Sequence, residues 1–437
     1  MDRYEQYKDC DFGGISQVPA HWEIVPLKSI FQFGRGLSIT KANLRDEGIP
    51  VISYGQIHSK ENSGYYLNKD LYRFVSPEYL SSGQQSVVNE NDFLFADTSE
   101  DFEGCGNCVF VNRMLGNLFA GYHTIVARPI RLNYNFKYIA FLFLSQAWRT
   151  CLRKNVNGVK VFSVTQRILK QQPILLPPKD EQEAIATYLD TEVSKIDAAI
   201  KQQQKMIELL NERRQIIISE AVTKGLNPDV KKANNNVEEI GLIPEHWLLR
   251  KFKRVAKVQA NLVSPKRYSD LPQVAPENIE KGTGKLLEYT TVSESGVISD
   301  NHLFHAGQII YSKIRPSLNK LIIAPFDGLC SADMYPITTS MNVRFLYYYM
   351  LSKHFVSQVN KVVMDRVKMP KINKEELSLI YVPVPPANEQ DGIIKYLDNK
   401  LEYLDKAISK CRNTTNMLSE RKRIIINDVV TGKVKVS

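Results

Sequence analysis

A segment of 43 residues occurs twice in this chain, and the duplication constrains the fold more than any other feature. The copies are EQEAIATYLDTEVSKIDAAIKQQQKMIELLNERRQIIISEAVT, from Glu181 to Thr223, and EQDGIIKYLDNKLEYLDKAISKCRNTTNMLSERKRIIINDVVT, from Glu389 to Thr431. They align without a gap (389 − 181 = 208 and 431 − 223 = 208), and 17 of the 43 aligned residues are identical. The chain is therefore built from two related halves.

Each copy has the apolar periodicity of a long helix: the first keeps to steps of three, four or seven residues, and the apolar residues of the second fall on matching positions. These apolar positions are Ile185, Leu189, Val193, Ile196, Ile200, Ile207, Leu210 and Ile217 in the first copy, and Ile393, Leu397, Leu401, Leu404, Ile408, Leu418 and Ile425 in the second. A narrow apolar seam needs a partner helix, so we predict that the copies, each about 60 Å long, pair as a coiled coil. Two polar seam positions recur, Gln203 with Cys411 and Arg214 with Lys422, and we expect their long stems to lie along the seam with their heads in water. The alternative, a pair of core helices, is disfavoured by the wide polar face around residues 201–205 (KQQQK).

Composition limits the class of protein. A chain of 437 residues suits two or three domains, and 43% hydrophobic with 24% charged residues is typical of a soluble globular protein. No apolar run approaches the roughly 18 residues of a membrane span, and the start MDRYEQYKDCD does not resemble a signal peptide, so we expect a cytoplasmic chain with no membrane partner. Six cysteines without repeat-related pairing indicate free thiols. A net charge of +10 favours a polyanionic partner.

Each half also opens and closes alike. A Pro-x-His-Trp element, Pro19 to Trp22 and Pro244 to Trp247, opens each half, and the segments ILLPPKDEQ and YVPVPPANEQ place prolines directly before each long helix, where a strand must end. Between these boundaries, short β-rich runs precede a helical stretch in both halves, which predicts two mixed α/β domains. The predicted segments are residues 1–173 (first domain with an N-terminal arm), 174–225 (first long helix), 226–240 (linker), 241–380 (second domain) and 381–437 (second long helix and tail).

The order of these segments is cyclic. The first helix exits through VTKGLNPDVKK toward the second domain, the second exits through VTGKVKVS, and the opening YEQYKD occupies the place where such an exit rejoins the first domain. We therefore predict an α+β fold in which two long helices pair antiparallel and separate the two domains, with a pseudo-twofold axis.

This layout resembles the specificity (S) subunit of type I restriction–modification systems. The resemblance rests on the PPxxEQ-led helices, the VTKGLNPDVK and VTGK exits and the second Pro-x-His-Trp element, IPEHW, and it covers essentially the whole chain. Four internal phrases are similar to the family's target recognition domains: ISYGQIHSKENSG, AGYHTIVARP, SKIRPSLNK and GLCSADMYPI. The resemblance implies a non-catalytic subunit that binds split double-stranded DNA through two recognition domains. It also implies two methyltransferase subunits and ATP-dependent restriction subunits as partners, with S-adenosylmethionine, ATP and Mg bound by those partners and no cofactor bound by this chain.

The residues themselves lack catalytic signatures. Gly284-Lys285 is followed by Leu286, so it is no phosphate-binding loop, and the double prolines follow Leu or Val instead of the Asn or Asp of an amino-methyltransferase site. Cys105-Gly106-Asn107-Cys108 has no second metal-like element, and we interpret it as a turn between strands. Two alternatives remain: a coiled-coil scaffold, which gives no reason for two unlike domains, and a stand-alone DNA modification enzyme, which the missing cofactor motifs oppose.

Candidate DNA contacts are loop side chains able to reach phosphates or base edges. In the first domain they are Tyr54, Gln56, His58, Lys60, Thr98, Ser99, Glu100, His123, Thr124 and Lys160; in the second they are Lys266, Arg267, Tyr268, Lys313, Arg315, Asn319, Lys320, Arg366, Lys368 and Lys371. A solvated loop is the alternative for each of them. The basic residues of KIRPSLNK are the strongest candidates, because Pro316 stiffens their loop. His21 and His246, beside Trp22 and Trp247, are expected to pack where each domain meets its helix.

Overall fold

The computed structural model describes residues 2–62, 65–113, 116–156, 158, 160–366 and 370–436. The chain divides into two compact units: unit 1 comprises Met1–Gln203 and Thr414–Ser437, and unit 2 comprises Gln204–Asn413. Each unit contains one mixed domain, the first half of the long helix that follows it and the second half of the other long helix. The predicted α+β class is confirmed. The boundary between the two compact units falls near the middle of each long helix.

Unit 1 begins with the first mixed domain. Its strands are β1 (Tyr7–Phe12), β2 (Ile15–Pro19), β3 (Glu23–Pro26), β4 (Phe31–Arg35), β5 (Ile49–Ile52), β6 (Arg73–Val75), β7 (Phe93–Ala96), β8 (Thr98–Ser99), β9 (Cys108–Phe110), β10 (Phe119–Ala120), β11 (Thr124–Pro129), β12 (Phe162–Ser163) and β13 (Pro173–Leu176). Its helices are α1 (Tyr54–Ile57), α2 (Tyr79–Ser82), α3 (Phe136–Leu144), α4 (Gln146–Arg153) and α5 (Gln166–Gln171), and the chain then enters the long helix α6 (Lys179–Lys224).

The main sheet of unit 1 has the order β4-β11-β7-β9, with every neighbour antiparallel. Successive side chains of a strand point to opposite faces, so the apolar run FLFA of β7 supplies two cores. Phe93 and Phe95 join the large core with α3, α4 and the long helices, while Leu94 and Ala96 join a second core. A smaller sheet has the order β10-β5-β6, with β5 and β10 parallel.

Unit 2 repeats this plan. Its strands are β14 (Lys232–Ala233), β15 (Ile243–Pro244), β16 (Leu248–Lys251), β17 (Ala256–Val258), β18 (Leu262–Val263), β19 (Pro272–Val274), β20 (Thr290–Thr291), β21 (Asn301–Phe304), β22 (Ile309–Ser312), β23 (Leu321–Ile323), β24 (Gly328–Cys330), β25 (Met334–Thr339) and β26 (Tyr381–Val384). Its helices are α7 (Val292–Ser295), α8 (Val343–Leu351), α9 (Lys353–Val363), α10 (Lys374–Leu377) and the long helix α11 (Ala387–Val430).

The main sheet of unit 2 has the order β17-β25-β22-β23, which matches the sheet of unit 1 strand for strand. Its central strand β22 likewise divides its side chains, with Ile309 and Tyr311 in the large core and Ile310 in a second core. The predicted helical stretch of each domain is two helices, because Ser145 and Ser352 each end one helix and cap the next by accepting a backbone N–H. The two domains therefore share an internal framework although their sequences differ.

The long helices begin where the prolines predict. Strand β13 ends at Leu176 and pairs with β3, and α6 starts after Pro177 and Pro178; β26 ends at Val384, and α11 starts after its own two prolines. Within the described part of the chain, no helix is long and apolar enough to span a membrane.

Inside each unit the two helix segments are joined by an ion pair. In unit 1, Lys422 Nζ lies 2.7 Å from Asp197 Oδ1; in unit 2, Arg214 pairs with Asp405. The residue number of the α6 partner rises by 17 from the first ion pair to the second (214 − 197), and that of the α11 partner falls by 17 (422 − 405). Opposite directions of this kind are those of antiparallel helices. The expectation that these basic heads lie in water is wrong: Arg214 is only 7% exposed, and both heads bind a carboxylate of the other helix.

The two ends of the chain also meet in unit 1, as the cyclic order predicts. Asp2 and Lys435 form an antiparallel bridge, in which Lys435 N donates to Asp2 O over 2.9 Å. The Tyr7 hydroxyl donates to Gly432 O over 3.1 Å. The N-terminal arm therefore continues from the end of α11 in the way that the linker continues from the end of α6.

Candidate DNA interface

The Pro-x-His-Trp and Glu-Gln motifs meet in each unit. Trp22 Nε1 donates to Glu181 Oε2 over 3.0 Å, and His21 Nε2 lies 2.5 Å from the other oxygen of that carboxylate. The same contacts in unit 2 place Trp247 Nε1 2.9 Å and His246 Nε2 2.6 Å from the carboxylate of Glu389. The expectation that both histidines lie at the domain–helix junction is confirmed.

The glutamine of each motif fixes the helix packed beside it. Gln182 Oε1 accepts the backbone N–H of Asn135 over 2.9 Å, and Gln390 Oε1 accepts that of Asn342 over 3.1 Å. Both asparagines are N-cap residues, of α3 and α8. The Glu-Gln pair thus couples each long helix to its domain through directed hydrogen bonds.

Four candidate residues of the first domain share one surface. The Tyr54 ring lies 5.4 Å from the His123 ring and 6.2 Å from the His58 ring, centroid to centroid. Thr98 joins them, because its carbonyl lies 2.8 Å from His58 Nε2 and its hydroxyl donates to Asp97 over 2.7 Å. His123 has a positive φ of 55° and its Nδ1 lies 3.1 Å from Asp97 Oδ1. This surface presents aromatic faces and both hydrogen-bond donors and acceptors, which suits base edges.

Two first-domain candidates are contradicted by their burial. Ser99 and Thr124 are each only 3% exposed. Ser99 Oγ donates to the Asp101 carbonyl over 2.6 Å, and Thr124 Oγ1 donates to the Gly121 carbonyl over 2.7 Å. Both lie at the ends of strands, where the short hydroxyl side chain bonds the adjacent turn, so neither side chain is accessible to DNA.

The remaining first-domain candidates differ in their surroundings. Gln56 is half-buried and its Oε1 accepts the backbone N–H of Ser53, which caps α1. Three others are exposed and form no hydrogen bond or ion pair with any residue that the structure describes: Lys60, Glu100 and Lys160. Lys160 comes two residues before Phe162, which pairs with Ser99 across β12 and β8, so the backbone brings its loop to the Tyr54 surface.

In the second domain, several candidate side chains are engaged within the domain. Lys313 Nζ donates to the Ala332 carbonyl over 2.7 Å, and Lys320 Nζ donates to the Pro276 carbonyl over 2.7 Å. Asn319 is 5% exposed and donates to the Met350 carbonyl, so the expectation that it is accessible is wrong. These three hydrogen bonds tie the loop to its own domain, so few of its side-chain donors are free to bind DNA.

The segment after α9 lies beside the loop between β22 and β23. Arg366 forms an ion pair with Glu376 and donates to the Lys371 carbonyl. The Lys371 side chain is exposed, and Lys371 bridges Ile314 in an antiparallel arrangement. Lys368 lies outside the described residues.

The cations that remain free in the described part of the second domain include Arg315, Lys266 and Arg267, whose side chains are exposed and form no hydrogen bond or ion pair with a described residue. The last two lie in a short 3-10 helix, Pro265–Arg267, and Tyr268 follows it half-buried. Arg315 has a left-handed backbone, with φ of 44°.

The two domains carry opposite charges at equivalent positions, which sequence reasoning missed. Asp97 follows β7 and Lys313 follows β22, the matching strands of the two sheets. Asp97 N donates to the His123 carbonyl (3.1 Å), and Lys313 N donates to the Asp333 carbonyl (3.0 Å). The side chains pair in the same places, His123 with Asp97 and Lys313 with Asp333. The signal was the polar residue directly after the strands FLFA and IIYS.

Asn107 was also missed as a site residue. Its amide lies 3.0 Å from His58 Nδ1, and its Oδ1 accepts from Arg149 over 2.8 Å, so it holds the His58 ring in place. It belongs to the CGNC segment, which is a turn before β9 as interpreted. Burial raises the pKa of the Cys108 thiol to about 12, which disfavours the thiolate that metals and redox chemistry need. Among the described residues, no cluster of His, Cys, Asp and Glu is arranged to hold a metal ion.

Comparison with known proteins matches this architecture. The family described as the type I restriction modification DNA specificity domain matches residues 19–209 and again 244–413. The type I restriction enzyme EcoDI specificity subunit of Escherichia coli is 30% identical over 365 residues, which cover 80% of this chain and 81% of that protein. The MjaVIII specificity subunit of Methanocaldococcus jannaschii is 25% identical over 471 residues, which cover 100% of this chain and 98% of that protein.

A solved structure shows the same fold. It comes from work on complex assembly and conformational transition of a type I R-M system, with a TM-score of 0.65 at 15% sequence identity, and the match covers 95% of this chain and 99% of the other. The two matched segments each comprise one mixed domain and the start of its long helix. The chain belongs to the family of type I restriction–modification specificity subunits.

Proposed function

We propose that this chain is the DNA-recognition subunit of a type I restriction–modification complex and binds a bipartite, asymmetric DNA target. Each recognition domain reads one half of the target. The chain directs partner adenine methyltransferase subunits and ATP-dependent restriction subunits to that site. It performs no chemistry itself: S-adenosylmethionine, ATP and Mg belong to the partners.

One observation carries the proposal of an asymmetric target. The main sheets of the two domains have the same strand order, but the residue after the matching strand β7 or β22 is Asp97 in the first domain and Lys313 in the second. Each side chain is paired within its own domain, Asp97 with His123 and Lys313 with Asp333, so the two residues give equivalent loops opposite charge and different internal bonding. A constant frame with opposite loop chemistry is suited to reading two different sequences.

A repeated apolar stripe supports two copies of one partner. In unit 2, Leu209 and Ile216 of α6 are exposed at 47% and 53%; in unit 1, Met417 and Ile424 of α11, at the same positions of the 208-residue repeat, are exposed at 74% and 49%. Residues seven apart lie on one face of a helix. We propose that each stripe binds one methyltransferase subunit, which covers apolar surface that otherwise faces water.

The stripes are tested by replacing their residues with lysine in the full-length chain. We expect L209K/I216K to bind one methyltransferase subunit instead of two. The quadruple variant L209K/I216K/M417K/I424K should bind none, as measured by native mass spectrometry. Leu242→Lys and Leu132→Lys are matched controls, because both leucines are exposed but lie outside the helices. A quadruple variant that still binds two subunits contradicts this assignment.

The function is tested by co-expressing the chain with an adenine methyltransferase subunit encoded beside it, in a host without other adenine modification. Long-read sequencing of the host DNA then shows which bases are methylated. We expect one bipartite motif that appears only when both proteins are present. Methylation without this chain, or the absence of any motif with both, contradicts the proposal.

A further inference from the structure

The loop between β22 and β23 holds one arginine in an unusual way. Arg315 has φ of 44° and ψ of 56°, a left-handed conformation that side-chain-bearing residues rarely adopt. Such backbone strain persists only where surrounding contacts determine it, and it concentrates at functional positions.

Contacts on both sides fix the Arg315 backbone. Its N–H donates to the Pro370 carbonyl over 2.7 Å, and its carbonyl accepts from Leu318 N over 2.9 Å. The preceding Ile314 bridges Lys371, and the following Pro316 is buried. The Arg315 backbone is therefore held in place, whereas its guanidinium group is exposed and has no partner among the described residues.

The two lysines of this loop, and Arg366 beside it, lack that freedom. Lys313 and Lys320 donate to backbone carbonyls, and Arg366 forms an ion pair with Glu376. Lys371, which bridges Ile314, is also exposed, but among the described cations of the loop between β22 and β23 Arg315 is the one whose head has no partner.

The equivalent position of the first domain carries no cation. Thr98 pairs with Ser163 as Ile314 pairs with Lys371, which places Ser99 where the second domain has Arg315. The Ser99 hydroxyl is buried and bonded within its own loop. A phosphate contact is sequence-independent and is useful to both domains, so a cation present in one domain alone fits a role in reading sequence.

We propose that Arg315 reads a guanine in the half-site of the second domain, through paired hydrogen bonds from its guanidinium to O6 and N7. This assignment rests on the proposed function and deepens it. Arginine is suited to the task because its planar fork matches the two acceptors on the major-groove edge of guanine, and a fixed backbone aims that fork.

The experiment compares Arg315→Gln, Arg315→Gly and the unmodified chain, each assembled with its methyltransferase partner. Glycine adopts the left-handed conformation without strain, so a change shared by both variants comes from the lost guanidinium and not from misfolding. Arg254→Gln is the matched control, since Arg254 is another exposed arginine of the same unit, its side chain has no partner among the described residues, and it is not a candidate DNA contact. The readouts are the methylation motif and the binding of oligonucleotides in which single base pairs of the site are replaced.

We expect both Arg315 variants to lose discrimination at one guanine of the second half-site by a factor between about 5 and about 150, while the other half-site is unchanged. Arg254→Gln should leave the motif intact, and any loss of binding should be equal for all sequences. If both Arg315 variants weaken all sequences equally, if they relax a base other than guanine, or if they leave the motif unchanged, the assignment is overturned. The proposed function itself is contradicted only if the unmodified chain yields no bipartite motif. Failure of the Arg315 assignment and failure of the proposed function are therefore distinguishable.

Discussion

Lys422 binds Asp197 across the two helix segments of unit 1, and Arg214 and Asp405, their equivalents in the repeat, form the same contact in unit 2. Each long helix therefore carries an acidic residue in its first half and a basic residue in its second half. This arrangement makes the helices complementary only when they run antiparallel, so one duplicated sequence specifies both pairs.

The first prediction concerns this ion pair. Arg214→Ala should lower stability by about 1–2 kcal/mol, because the change removes a buried stem as well as a charge contact. Lys205→Ala is the control: Lys205 pairs with Glu208 on an exposed face and should change stability by less than about 0.5 kcal/mol. Denaturant midpoints of the full chain provide the measurement. Exchanging the charges in R214D/D405R should recover part of the loss; equal effects of the two alanine variants contradict the assigned role.

The second prediction concerns the domain–helix junction. Glu181→Ala leaves the indole N–H of Trp22 and the hydroxyl of Tyr4 without their acceptor, and it should cost about 1–3 kcal/mol. Glu183→Ala, one position beyond Gln182 on the same helix and exposed, should change stability by less than about 0.5 kcal/mol. Thermal unfolding compares the two. A loss no greater for Glu181→Ala than for the control means that the junction does not depend on this carboxylate.

Much of the fold was predictable because it depends on local and repeated signals. Pro177 and Pro178 mark the end of β13, and the Glu181 motif marks the start of a helix whose apolar period is visible over many turns. The cyclic order followed from matching exits, and the bridge between Asp2 and Lys435 bears it out.

The recognition surface was less predictable, because it depends on contacts between residues far apart in sequence. Ser99 and Glu100 are neighbouring hydrophilic residues, yet the first is buried and bonded to Asp101 and the second is exposed. Nothing local distinguishes Lys313, whose ammonium group binds the Ala332 carbonyl, from Arg315, whose head is free of described partners. The missed pair of Asp97 and His123 requires knowing that β7 and β11 are adjacent.

The third prediction concerns DNA binding by the chain alone. A charge of +10 shared between two domains gives each few phosphate contacts, and several candidate cations are engaged internally. We expect the isolated chain to bind its target weakly, and the complex with methyltransferase subunits to bind specifically. Gel-shift titrations at fixed salt, with target and scrambled DNA, measure both. Tight, sequence-specific binding by the isolated chain that does not change on adding partner contradicts the expectation.

The fourth prediction treats helix length as the determinant of the gap between the half-sites. Both α6 and α11 are continuous across the boundary between the compact units. The insertion points after Lys205 and after Asn413 are repeat-related and lie midway between the two ion pairs in sequence. Four residues added at each point lengthen each helix by about 6 Å and nearly preserve the facing of the seam.

The gap in the methylated motif should then grow by one or two base pairs, at about 3.4 Å per base pair, while both half-sites keep their sequence. Two-residue insertions are the control, because they turn the seam away from its partner and should abolish activity. An active four-residue variant with an unchanged gap would show that another element sets the spacing.

The central claim is that each domain independently reads one half of the target. The most direct test exchanges residues 23–173 for the matching domain of another member of the family, leaving both long helices intact, and determines the methylation motif by long-read sequencing in a host without other modification. Because the two domains share a framework but have separate cores, we predict that one half of the motif changes and the other half and the gap remain. A motif in which both halves change together, or in which neither changes, would contradict the account.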